Sequence, residues 1–147
     1  MHIEPGTVHG AKMALAVATA TGAAGVTVRL IAAELRTRHV QSLAARSLVA
    51  MLVCLMFFEV FPHVAVGLSE VHFILGTSLL LILGVVPAAV GLAGALGLQG
   101  LFFAPPDLPK YAVNVTTLLL PLFTIRWLAR KWLRGTGLVE ERLFAPA

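Results

Sequence analysis

Four uninterrupted stretches without a single Asp, Glu, Lys or Arg set the limits on what this chain can become. They are Met13–Val28, Ser47–Phe58, Phe73–Pro106 and Tyr111–Ile125. A helix crossing a bilayer needs about 20 mostly apolar residues. The third stretch, 34 residues long, is too long for one crossing and suits two short ones. Pro87 lies near its middle and disfavours helical geometry at Val86, so the pattern predicts a tight helical hairpin there. The expected spans are Ala11–Ile31, Leu43–Phe61, His72–Val86, Ala88–Phe103 and Ala112–Leu128. The third and fourth are short, so one of them is expected to be tilted, broken or partly buried in the bundle. The fold class is therefore all-α: a polytopic membrane helix bundle of about five transmembrane helices. Residues 1–134 are expected to form one transmembrane helical domain, and residues 135–147 a short cytoplasmic tail.

Composition agrees. The chain is 59% hydrophobic and 12% charged, with mean hydropathy +0.92, whereas soluble domains carry about 25% charged residues. That excludes a water-soluble globule, a disordered tail and a nucleic-acid-binding domain, despite a pI near 10.0. The basic residues instead orient the bundle. Arg36, Arg38 and Arg46 follow the first span, and Arg126, Arg130, Lys131 and Arg134 follow the fifth. Five crossings put both clusters on one side, with only Lys12 and Lys110 near the other. Cytoplasmic loops carry the Lys/Arg excess, so the N-terminus is expected outside and the C-terminus inside, in the cell's inner (cytoplasmic) membrane. The lone Cys54 excludes an intrachain disulfide framework and a cysteine-based zinc site. The first residues lack the basic n-region of a cleaved signal peptide.

Helices in lipid associate through small residues. Ala18/Gly22, Gly91/Ala95 and Ala93/Gly97 supply that spacing, although such residues are common in membranes anyway. Trp127 and Trp132 among Arg126, Arg130 and Lys131 suit an interfacial anchor.

In this orientation the polar groups collect at the outer end: His2, Glu4, His9, His63, Glu70, His72 and Asn114, with Glu59 and Gln99 at the outer ends of spans two and four. Polar groups inside a membrane are costly and mark sites or pathways. A histidine at position two can chelate a divalent ion through the terminal amine, its own amide nitrogen and imidazole Nδ1, closing five- and six-membered rings. One corner of a square plane is then left for another imidazole, and nitrogen-rich tetragonal sites suit Ni(II) and Cu(II). The plain alternative is a frayed terminus. His72, where the chain re-enters the membrane beside Ser69 and Glu70, is the preferred fourth ligand, or else an interfacial residue capping a helix. His63 is a weaker candidate in the same loop. Asn114 either orients a ligand by a hydrogen bond from outside the coordination sphere or bonds between helices. Glu59 suits a pairing with Lys12 or His63, and Gln99 packs between helices.

No Gly-x-x-x-x-Gly-Lys-Ser/Thr phosphate loop is present, so the chain lacks an ATPase motif of its own. No Gly-x-Ser-x-Gly or His-Glu-x-x-His points to hydrolysis, and the reading is of a non-enzyme.

The opening Met1-His2-Ile3-Glu4-Pro5-Gly6, then Ser69-Glu70-Val71-His72 before a short span, and Asn114 after an outer loop, resemble the nickel/cobalt-specific membrane component of energy-coupling-factor transporters. In that family the N-terminal segment folds back into the bundle. The resemblance implies Met1, His2 and His72 as metal ligands, with Asn114, Glu70 and His63 around them. It also implies Ni(II) or Co(II) as transported substrate, no organic cofactor, and separate ATPase subunits and a coupling membrane subunit as partners besides the lipid bilayer. Two other readings compete: a bis-histidine haem-binding membrane redox subunit, and a structural membrane subunit without ligand.

Overall fold

The structure, a computed structural model, describes residues 10–60, 64–66, 69–71 and 76–136. It is a bundle of five helices: α1 (Ala11–Glu34), α2 (Val40–Glu59), α3 (Gly76–Leu83), α4 (Val85–Leu98) and α5 (Tyr111–Thr136). Between α2 and α3 lie two three-residue strands, β1 (Val64–Val66) and β2 (Ser69–Val71), paired antiparallel with Ala65 opposite Glu70. A π-helical turn, Gln99–Phe103, extends α4, and a 3-10 turn, Pro105–Lys110, leads into α5.

Side-chain contacts fix the helix directions. Thr19 Oγ1 lies 3.1 Å from Thr116 Oγ1, joining the early turns of α1 and α5, while Glu34 at the end of α1 interacts with Arg126 further along α5. These two helices run parallel. Arg46, near the start of α2, meets Glu34, so α2 runs the other way. Gln99, just past α4, meets Glu59 at the end of α2, so α4 runs with α2. The Arg36–Arg38 connection and the Arg126–Lys131 segment therefore share one end of the bundle, as the charge pattern predicted. We call this the basic end. Lys131 there lies 5.4 Å from the centroid of the Trp127 ring, an arrangement suited to an interfacial anchor.

α4 is the axial element. In its most apolar window 61% of the residues are buried, against 11% in α1, and α4 packs on α2 above all, and on α5, α3 and α1. Its sequence permits that: Gly91 brings backbone against backbone, because a Cβ there would lie 2.4 Å from Ala50 Cβ and 2.9 Å from the Met51 nitrogen. Ala88, Ala89 and Ala95 are fully buried around it. The expected Gly91/Ala95 contact is thus made. Ala18 and Gly22 instead face outward, and a Cβ at Gly22 would meet nothing within 4 Å. Large apolar side chains cover the exterior, among them Leu15, Val28, Ile82 and Phe102; lipid accommodates them at no cost.

Two expectations are corrected in the third span. Among the described residues of His72–Val86, α3 covers eight residues or about 12 Å, shorter than a crossing, and Val85 and Val86 already belong to α4. Four helical segments are long and apolar enough to span: Ala11–Glu34, Val40–Glu59, Val85–Phe103 and Pro105–Trp132. The chain also breaks at Gly84 rather than at Pro87. Gly84 has φ +94° and ψ 167°, a region accessible essentially to glycine alone. Pro87 then falls in the first turn of α4, where its missing N–H interrupts no hydrogen bond within α4 itself.

Candidate metal-capture end

Opposite the basic end, the polar residues of α2, α4 and α5 converge. Burial of an amide in a membrane protein is tolerable only with partners, and the local sequence supplies most of them. Gln99 is 5% exposed and donates from Nε2 to Glu59 Oε1 at 2.9 Å. The 3-10 turn places Lys110 Nζ 3.6 Å from Asp107 Oδ1, with both side chains largely covered. The Tyr111 hydroxyl donates to the Ala93 carbonyl at 2.9 Å, anchoring the start of α5 to α4. Thr117 Oγ1 donates to the Asn114 carbonyl at 2.8 Å.

Asn114 is the exception. It is 5% exposed, and its side-chain Oδ1 is buried without a hydrogen-bond partner. The oxygen belongs to a small cavity lined by Leu96, Gln99, Gly100, Asp107, Leu108, Tyr111 and Asn114. A buried acceptor left unpaired costs about 1–3 kcal/mol. In native structures such a group meets a water, an ion or a ligand, or is kept for a functional role.

The sequence-predicted site residues fall unevenly on this frame. Met1, His2, His63 and His72 lie outside the described residues, as do Glu4 and His9. Glu70 is placed through its backbone in β2, opposite Ala65. Of these site residues Asn114 alone has its side chain placed, at the end of the bundle opposite the arginines. Glu59 and Gln99 are at the expected ends of α2 and α4, but they pair with each other. The Asp107–Lys110 pair at the cavity rim was not anticipated; the i,i+3 spacing of opposite charges was the available signal. Among the described residues no cluster of three or more His, Cys, Asp or Glu could hold a metal. Nor does a histidine lie within a spanning helix, since His39 precedes α2.

The fold defines a multi-pass membrane protein with one basic end and one end carrying a buried, polar-lined cavity. Within that class, residues 2–146 match the family of the CbiM cobalt uptake substrate-specific transmembrane region. The chain belongs to this family, and is a component of a transport system rather than an enzyme. No curated protein and no solved structure matches it.

Proposed function

We propose that this chain captures Co(II) or Ni(II) at the end opposite its arginines and acts as the substrate-specificity component of an energy-coupling-factor uptake transporter. Met1 would give the terminal amine, His2 its amide and imidazole nitrogens, and His72 the second imidazole. Asn114, Glu70 and His63 would surround the ion without binding it directly. The observation that carries this reading is the buried, unpartnered Oδ1 of Asn114. It lies at the end of the bundle opposite the arginines, beside Gln99 and Tyr111. An imidazole N–H on a metal-bound histidine is the kind of donor this acceptor lacks. The positive-inside rule turns the basic end to the cytoplasm, which puts the cavity on the outer face of the cytoplasmic membrane. Energy would come from separate ATPase subunits through a coupling membrane subunit.

The test is equilibrium dialysis of the purified chain with a native, untagged N-terminus against Co(II) and Ni(II). One ion per chain is expected, with His2→Ala and His72→Ala each losing binding while the circular dichroism spectrum is unchanged. Wild-type affinity in both variants would refute the assignment. Bound Ni(II) in a square plane should colour the protein yellow.

A further inference from the structure

The basic end holds a cluster that metal capture does not itself require. Leu83 is the last residue of α3, and a continuing helix would satisfy its carbonyl from the N–H four residues on. That residue is Pro87, which has none. The neighbouring carbonyls are served by backbone: Gly84 N–H donates to Leu80 and Ala88 N–H to Gly84, both at 3.1 Å. The Leu83 carbonyl is served from another helix, by Arg46 Nη1 of α2 at 2.8 Å. The same guanidinium donates from Nε to the Ser42 carbonyl at 3.3 Å and from Nη2 to Glu34 Oε1 at the end of α1. Arg46 and Glu34 side chains are only 22% and 13% exposed. Arg126 of α5 also interacts with Glu34.

We infer that Arg46 is a positioning residue: its guanidinium latches the half-helix α3 at the Gly84 break, and so holds the short rod that follows His72 in the chain. This rests on the proposed role of His72 in metal capture. The physical case is leverage. α3 is too short to be anchored by its own burial, with only Leu79 and Leu80 fully buried, and it joins α4 through a single residue of unusual backbone geometry. A planar guanidinium with fixed donor directions can hold two carbonyls and a carboxylate at once, which a lysine ammonium on a flexible stem cannot. Opening the latch at the basic end frees α3 to pivot about Gly84. The carboxylate of the latch sits next to the Arg36–Arg38 connection, so a partner docked at that end could reach it.

The test uses the full chain in nanodiscs, with hydrogen exchange of residues 76–88 and the rate of Co(II) release into a chelator as two readouts. Arg46→Met should raise exchange in that segment about tenfold, the loss expected for hydrogen bonds to a charged group, with α5 unchanged. It should accelerate Co(II) release by a similar factor at unchanged stoichiometry. Glu34→Gln should move both readouts less, and Arg46→Lys should rescue only in part. Unchanged exchange in Arg46→Met and Glu34→Gln, or a rise spread evenly over all helices, would overturn the latch. Selective exchange without faster release would overturn the positioning role in metal holding while leaving the contact to α3. If the wild-type chain binds no Co(II), the metal-capture reading fails on that ground alone, and the exchange pattern still decides whether Arg46 latches α3.

Discussion

Replacing Gly91 by alanine drives a methyl group into the tightest approach in the bundle. The new Cβ would sit 2.4 Å from Ala50 Cβ and 2.9 Å from both the Ala50 carbonyl carbon and the Met51 nitrogen. Carbon atoms rest about 3.5–4.0 Å apart, so α2 and α4 must separate by about 1 Å or more at that level. Two of the three obstructing atoms are backbone, which no rotamer change can move aside. Overpacking costs about 1–3 kcal/mol, and the rigid neighbours place this case near the top of that range. A radial gap of about 1 Å also forfeits up to about half of each adjoining van der Waals contact. At about 3 kcal/mol the ratio of folded to unfolded protein shifts about a hundredfold, since 1.4 kcal/mol is about a factor of ten. Reversible unfolding in mixed detergent micelles measures this directly. Gly22→Ala is the matched control, because nothing lies within 4 Å of its Cβ and alanine is the better helix former by about 1 kcal/mol. Equal stability of Gly91→Ala and wild type, or equal damage from both substitutions, would refute the packing argument.

Asn114→Leu should weaken Co(II) binding about 10–100-fold, the range seen when groups orienting metal ligands are removed. The same variant should keep or gain stability, because it removes a buried unpaired acceptor; dialysis and unfolding curves separate the two effects. Gly84→Ala should cost about 1–3 kcal/mol from backbone strain alone, since the nearest atom to its Cβ is Arg46 Nη1 at an unobstructed 3.7 Å; thermal unfolding checks it. Acetylating the N-terminus, or leaving a tag on it, should abolish metal binding with every side chain intact. Because the amine and the His2 amide must both release a proton to bind, affinity should fall as pH falls, and titration between pH 8 and about 5 follows it.

The helices themselves were legible from hydropathy. Spacing between charged residues located the starts of α1, α2, α4 and α5 to within three residues, although α5 runs on to Thr136, past the expected Leu128, and the arginine pattern correctly put Arg46 and Arg126 at one end. Both are properties of the chain taken a segment at a time: a charge is costly in lipid wherever it falls, and a helix must match the bilayer's thickness. Asn114 was legible as a polar residue just beyond an outer loop.

What the sequence could not determine was which of two similar residues meets a neighbour. Gly22 and Gly91 sit in equivalent small-residue patterns, yet only Gly91 touches another backbone, because only α4 is surrounded. Pro87 suggested a break, but its position in the first turn of a helix is harmless once Gly84 has already turned the chain. The lost donor to Leu83 is supplied by Arg46, 37 residues away, and the amide of Gln99 finds Glu59 across 40. Hydrogen-bond partners at such separations depend on how the helices lie against one another, and that arrangement emerges only when the whole bundle packs.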